Sequence, residues 1–167
     1  MTYNQNTLKI RRATEQDIEG IHLAHMKSIQ EVCKKDYTER EILAWGHRPF
    51  LPEKRLAAIK NDWVWVAEEM GKVEGFAHMG LIKEGETTIG RIYGLYLSPN
   101  LIGRSVGKAL MALMMEQLKA LQVKTITLDS TLTAQGFYQK LGFVPSGPEK
   151  SDVINGVPIR CRPMKYG

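Results

Sequence analysis

At 167 residues with a formal charge of +5, the chain is sized for one domain, residues 1–167, with a core that needs no disulfide support. Its two cysteines, Cys33 and Cys161, lie far apart with no metal-ligand spacing around either, which predicts reduced thiols in a cytoplasmic protein and no metal. The basic residues are scattered, and only Arg160, Arg162 and Lys165 bunch near the end, so nucleic acid is not expected as a partner; with a polar opening, residues 1–7, and no long apolar run, neither a secretion signal nor a membrane span is expected.

In chain order, residues 8–12 alternate apolar and charged side chains as a short strand does. Thr14, with Asp17 three residues on, is an N-cap; the helix it opens carries Ile18, Ile21, His25, Ile29 and Val32 on one stripe. On that stripe His25 reads as a hydrogen-bonded packing residue rather than a ligand. Thr38 and Glu41 make a Thr-x-x-Glu capping box for a second, short helix ending near Trp45-Gly46. Residues 47–52 form a loop stiffened by Pro49 and Pro52, and residues 53–60 a helical turn or two. Tyr37, Trp45 and Phe50 make this connection unusually aromatic; they either cover one edge of the core or line a substrate pocket.

Three strands follow as an antiparallel meander, at residues 63–68, 73–81 and 88–97, reversing at 69–72 and 83–86. The last of them ends at Leu95-Tyr96-Leu97, where Pro99 stops the ladder. From Val106 the apolar residues Leu110, Leu113, Met114, Leu118 and Leu121 recur at helical spacing, and Met111, Met114 and Met115 read as core filling. Residues 125–129 are a further strand, parallel to its neighbour because a helix joins the two. Thr133 or Ser130 caps a short helix over 134–141 that Gly142 closes, a strand starts at Phe143-Val144, and Asn155-Gly156 is a hairpin signal leading into 157–164. The sum is an α+β domain with a mixed sheet and helices packed on it.

Between the third strand and the long helix lies a loop with small residues at Gly103, Ser105 and Gly107. Such a turn lets backbone N–H groups approach an anion, the helix dipole adds positive potential, and Arg104 and Lys108 add full charges. The loop is built to hold a phosphate or pyrophosphate.

Residues 99–107, followed by Ala134-Gln135-Gly136-Phe137-Tyr138-Gln139-Lys140-Leu141-Gly142-Phe143, resemble the acetyl-coenzyme A signature of the GNAT superfamily of N-acetyltransferases. The superfamily's loop has the form Gln/Arg-x-x-Gly-x-Gly/Ala, and its later helix an Ala-x-x-Phe-Tyr-x-x-x-Gly-Phe pattern. The opening Ile10-Arg11-Arg12-Ala13-Thr14 with Asp17 and Ile18 also resembles the family's start. Tyr37-Thr38, Ile42, Ala44 and Trp45, with Asn155-Gly156-Val157-Pro158-Ile159, resemble a bacterial branch of small-molecule or uncharacterised acetyltransferases. Three departures stand out. Ile102 replaces the usual Gln or Arg, Ser105 the usual Gly, and Thr131 an Asn. Each loop N–H survives, but Ser105 must take up whatever backbone angles glycine did.

The resemblance implies a mixed, mostly antiparallel sheet with a splayed parallel strand pair and helices on both faces. It implies acetyl-CoA as co-substrate, held by Leu95, Tyr96, Leu97, by the loop Ile102, Gly103, Arg104, Ser105, Val106, Gly107, Lys108, and by Thr131, Ala134, Phe137 and Tyr138. The acceptor would be a small-molecule amine or a peptide amine, with Tyr37, Trp45, His78 and Tyr93 near it. Edge strands near the C-terminus offer pairing surfaces for a homodimer. Tyr138 would present its hydroxyl to the departing sulfur as the catalytic residue. A phenol of pKa about 10 giving a proton to a thiolate of about 8.5 is uphill by roughly 2 kcal/mol, so hydrogen bonding outweighs full transfer. For the general base Arg91 stands where relatives carry a glutamate, leaving Tyr93, His78, Glu84, Asp129 or a water chain. Two other functions compete: a non-catalytic acyl-coenzyme A binding module, and a basic partner-binding protein using the C-terminal arginines.

Overall fold

The computed structural model describes residues 7–167; the polar opening segment discussed above lies outside them except for Thr7. Chain order gives β1 (Leu8–Arg12), α1 (Ile18–Glu31), α2 (Glu39–Trp45), α3 (Pro52–Asn61), β2 (Trp63–Glu69), β3 (Lys72–Glu84) and β4 (Thr87–Leu97). Then come α4 (Val106–Ala120), β5 (Ile126–Ser130), α5 (Gln135–Lys140), β6 (Val144–Pro145), β7 (Lys150–Ile154) and β8 (Val157–Tyr166). The sheet runs β1-β2-β3-β4-β5-β8-β6, with β7 paired to β8. Every pairing is antiparallel except β4 with β5. This is the expected mixed, mostly antiparallel sheet, and α4 is the crossover that makes β4 and β5 parallel.

Side-chain alternation in β2 sorts the helices onto two faces. Val64 and Val66 point one way, into a cluster with Ile21 of α1 and Phe76 of β3 that Ala58 and Ile59 of α3 cover. Trp65 and Ala67 point the other way, onto Val106, Leu110, Met111, Met114 and Leu118 of α4. Both faces are thus buried, which is why β2 is an unbroken apolar run rather than an alternating one. A third cluster joins Met26, Ile29 and Cys33 to Tyr37, Trp45 and Ile159, fixing the α1–α2 connection against β8.

Local signals explain most boundaries. Thr38 Oγ1 accepts from the Glu41 N–H at 3.2 Å while Glu41 Oε1 accepts from the Thr38 N–H at 2.9 Å, the capping box read from sequence. Asn155 and Gly156 both have positive φ, 50° and 76°, as a two-residue hairpin turn requires. Gly142 closes α5 at φ 96°.

Thr14 and Asp17 form the expected N-terminal pair, Asp17 turning back to accept from the Thr14 N–H at 2.7 Å across a 3₁₀ turn, Glu15–Asp17, that runs into α1. Two expectations are corrected. Pro52 does not prolong the loop but starts the ten-residue α3 at its first position, where a missing N–H costs nothing. The turn before α5 is capped by Thr131, not by Thr133 or Ser130: Thr131 Oγ1 accepts from the Ala134 N–H at 3.1 Å. Among the described residues, no helix is long and apolar enough to cross a membrane.

Candidate active site

Strands β4 and β5 are paired over three residues only, Gly90–Ile92 against Ile126–Leu128. Beyond that, β4 stays with β3 through Leu97 while β5 stays with β8 through Ser130, and the two diverge. A β-bulge lies where they part: His78 and Met79 of β3 face Gly94 and Ile92, leaving Tyr93 as the extra residue. A bulge strengthens local twist and re-aims side chains. Among the described residues the β5-facing edge of 93–97 is left without a sheet partner, so a ligand can satisfy that edge.

The opening leads into a cavity of about 670 Å³, a size that suits a large cofactor fragment. Leu95, Tyr96 and Leu97 form one wall, Thr131, Ala134 and Phe137 another, and the loop Ile102, Gly103, Ser105, Val106, Gly107 and Lys108 the floor. The loop is anchored by buried Ser98, whose N–H donates to Glu74 O at 2.8 Å and whose hydroxyl donates to the Glu74 carboxylate. Gly103 (φ 76°) and Ser105 (φ 61°) are both left-handed. Among the described residues, the N–H groups of Gly103, Ser105, Val106, Gly107 and Lys108 find no protein acceptor. Together with the α4 dipole they make an anion cradle. Gly107 lets the Phe137 ring close over it, since a Cβ there would lie 3.3 Å from the ring.

Arg104 departs from expectation. Its guanidinium is held by Glu69 in a two-pronged pair at 2.8 and 2.9 Å, and it does not line the cavity. Glu69, at the end of β2, captures the charge. Cavity-lining cations are instead Lys108, Lys35 and Lys140, and the latter two carried no local signal in the sequence. Ile102 turns half of its side chain to solvent.

Where the strands part, a cavity of about 20 Å³ is bounded by Tyr93, Leu95, Tyr96, Asp129, Thr131, Ala134 and Tyr138. The Tyr138 ring is buried edge-on to Phe137 and Phe143. Among the described residues its hydroxyl has no hydrogen-bond partner. Burial pushes its phenol well above the ordinary range, so it stays protonated and remains a donor at neutral pH. Burial also pushes Tyr96 well up.

On the other side of this gap a cleft of about 190 Å³ is lined by Tyr37, Trp45, Tyr93, Asp129, Ile154 and Arg160, among others. Both earlier readings of the aromatic segment describe part of it. Tyr37 and Trp45 are buried, their rings tilted against each other at 5.0 Å, and the Tyr37 hydroxyl is fully engaged, donating to Arg160 O at 2.7 Å and accepting from the Leu132 N–H at 2.9 Å. Their ring faces still wall the cleft, whereas Phe50 lies apart from it, against His22.

Four groups stood as candidates for the base. Glu84 ends β3 beside the β3–β4 hairpin turn, opposite Thr87. Asp129 is held by Arg91 at 2.8 Å and Lys150 at 2.9 Å. Tyr93 packs against His78 with the rings tilted at 37° and 4.7 Å between centroids. His78 Nε2 lies 2.7 Å from Asp62 Oδ2, a partner no spacing revealed. Burial lowers the His78 pKa more than Asp62 raises it, so the ring is neutral near pH 7. With Nε2–H donating to Asp62, the lone pair sits on Nδ1. Gly80 makes room for this group: a Cβ there would lie 2.8 Å from Asp62 Oδ1 and 2.9 Å from Tyr93 Cε2.

Comparison with known proteins bears on this geometry. The chain matches a family model described as an acetyltransferase (GNAT) domain over residues 33–165. Its fold is similar to that of a GCN5-related N-acetyltransferase from Rhodopseudomonas palustris, at TM-score 0.81 and 23% identity, covering 100% of this chain and 99% of that one. It is also similar to the PaiA N-acetyltransferase from Thermoplasma acidophilum in complex with coenzyme A, at TM-score 0.74 and 20% identity over 95% and 98% of the two chains. YncA from Salmonella typhimurium, solved with its cofactor acetyl-CoA, gives TM-score 0.68 and 18% identity over 95% and 92%. No curated protein matches the sequence.

Proposed function

Because the chain belongs to the GNAT acetyltransferase family, we propose that it is an N-acetyltransferase, moving the acetyl group of acetyl-CoA to the amine of a small molecule or peptide by direct attack on the thioester. The observation that carries this reading is the parting of β4 from β5 after Ile92, with the unpartnered Tyr138 hydroxyl at the point of divergence. A diphosphate on the amides of 103–108 and a pantetheine arm along residues 95–97 bring a thioester to that hydroxyl.

Three demands follow. The amine must be neutral, against a free pKa of about 10.4 for a lysine-type group. His78 Nδ1, neutral and oriented by Asp62, takes the proton as the base. A backbone N–H on the unpaired edge of β4 meets the developing oxyanion. As the nitrogen bonds to the carbonyl carbon, the carbon–sulfur bond breaks and Tyr138 donates a hydrogen bond to the leaving sulfur. The free thiols Cys33 and Cys161 fit a reducing, cytoplasmic setting.

Calorimetry with coenzyme A, followed by thiol-release assays over a panel of amines, tests the reading. Micromolar binding with turnover of at least one amine class is expected. Binding without release for any amine would reduce the protein to an acyl-coenzyme A binding module. No binding at all would remove both.

A further inference from the structure

A second cavity, of about 390 Å³, lies between α1, α3, β3 and the tip of the β7–β8 hairpin. Its polar lining is almost all basic: His22, His25, Arg48, Lys54, Arg55 and His78, with Asn155 from the hairpin turn. His25 stands at the centre, more than nine-tenths buried. Arg55 Nη2 lies 2.9 Å from its Nδ1 and Arg48 Nη2 lies 3.4 Å from its Nε2.

This arrangement is incomplete as a hydrogen-bond network. A neutral imidazole has one in-plane lone pair, so it accepts from one guanidinium and turns its N–H toward the other. Among the described residues Arg48 otherwise donates only to Trp45 O, at 3.0 Å, and Arg55 packs its charge over the Phe76 ring, 5.6 Å from the centroid. Among the described residues neither guanidinium has a carboxylate within 4.0 Å. Four other arginines do have one: Arg11 has Asp17 and Glu68, Arg91 has Asp129, Arg104 has Glu69 and Arg160 has Glu41. Two half-buried cations left without a counter-ion around one histidine are costly to the fold. Loss of hydration also lowers the Arg55 pKa to about 10 and depresses that of Arg48.

The cavity adjoins the proposed reaction centre. The His25 ring is 4.2 Å from that of Tyr96, which lines the gap between β4 and β5. His78 lines the cavity and packs against Tyr93, and Ile154 lines both the cavity and the acceptor cleft.

We propose that this cavity is an anion pocket for the acceptor, in which Arg48 and Arg55 hold a carboxylate or phosphate group while the acceptor's amine reaches the thioester past Tyr93 and Tyr96. The proposal rests on the acetyl-transfer reading and narrows its substrate class to anionic or zwitterionic amines. Polyamines are disfavoured, since their charges would meet the cations Arg48, Lys54 and Arg55. A guanidinium pair matches an oxyanion in shape as well as charge.

Two experiments separate this proposal from the reading beneath it. The first is calorimetry with glutarate and with inorganic phosphate, on the wild type and on Arg48→Gln and Arg55→Gln. Binding of one anion is expected, weakened at least tenfold in each variant, and the preferred anion tells carboxylate from phosphate. No binding of either, or binding that the variants leave intact, overturns the proposal. Coenzyme A affinity and melting temperature serve as controls for folding. Removing an unpaired, desolvated charge is expected to leave the melting temperature unchanged or raised. The second experiment compares kcat/KM for β-alanine and phosphoethanolamine with that for β-alanine amide and spermidine. An advantage of at least tenfold for an anionic acceptor, abolished in Arg55→Gln, is expected. A preference for the amide or spermidine overturns the pocket but leaves acetyl transfer standing. Turnover of none of the four sinks the acceptor reading as well, unless the wider amine panel finds one, and glutarate and phosphate binding then still decides the pocket on its own.

Discussion

Two residues that line the site's cavities are arranged in ways the fold's own stability does not require. Ser105 sits at φ 61° immediately before α4, a region in which a non-glycine residue costs about 1–2 kcal/mol. Glycine is freer in the unfolded chain, which takes back part of that difference. Ser105→Gly should therefore stabilise the protein by about 0.5–1 kcal/mol in urea unfolding, with coenzyme A affinity held within a few-fold because the amides keep their directions. A loss of stability would show that the serine hydroxyl does something the backbone angles do not reveal. Tyr138 presents the opposite balance. Among the described residues its hydroxyl has no protein partner, and Tyr138 lines the small cavity at the gap, so removing the hydroxyl breaks no hydrogen bond of the fold. Tyr138→Phe should hold or raise the melting temperature while lowering kcat by about 10- to 100-fold, the worth of one hydrogen bond to a charged leaving group. Coenzyme A affinity should stay within a few-fold. Unchanged turnover would remove Tyr138 from the chemistry.

At the level of elements, the gap depends on how closely α4 lies on β4. Gly90, in the last stretch where β4 still pairs with β5, permits that approach: a Cβ there would lie 2.8 and 2.9 Å from the two methyl carbons of fully buried Leu118. Gly90→Ala should cost about 1–3 kcal/mol of stability by overpacking. It should also weaken coenzyme A binding, because the N-terminus that bears the cradle moves with α4. Calorimetry on the folded variant would read that, and an unaltered Kd would uncouple the helix from the site. The sequence displayed the elements themselves well, because their ends carry self-contained chemistry. Thr38 and Glu41 satisfy each other's N–H groups whatever surrounds them, and Asn155-Gly156 selects its turn by its own dihedral preferences. The places where the reading went astray are those decided by a distant partner. Pro52 looks like a breaker until the helix it begins packs on β2. Arg104 looks like a phosphate ligand until Glu69, 35 residues earlier, reaches it. The bulge at Tyr93, the Asp62 partner of His78 and the convergence of Arg48 and Arg55 on His25 have no local signature. They are products of strand register and of α3 docking on the sheet.

For the molecule as a whole, the same unpaired cations set the response to acid. His25 lies well below its usual pKa because it is buried, with Arg55, Arg48 and His22 reinforcing the effect. His22 and His78 are lowered as well, first by burial and then by neighbouring arginines, against a partial lift of His78 from Asp62. A histidine whose folded pKa is depressed imposes no penalty above pH 6.5, where both states are neutral. Below that, the unfolded chain takes up protons the fold refuses, so stability falls as pH falls. Each such proton contributes up to about 1.4 kcal/mol per pH unit, with buried His25 nearest that limit. The acidic groups act lower down. Arg160 holds Glu41 at about 2, and Arg11 lowers Asp17. Their stabilisation is complete above the ordinary carboxylate range and is lost as pH drops through the depressed values. Urea unfolding free energies measured from pH 8 to 3 should therefore be flat above pH 7, decline from about 6.5, and decline again below about 4.5. His25→Gln should flatten the upper limb and leave the lower one in place. A stability maximum near pH 5 would mean that the histidines are charged in the fold, which is incompatible with guanidiniums on both sides of the His25 ring.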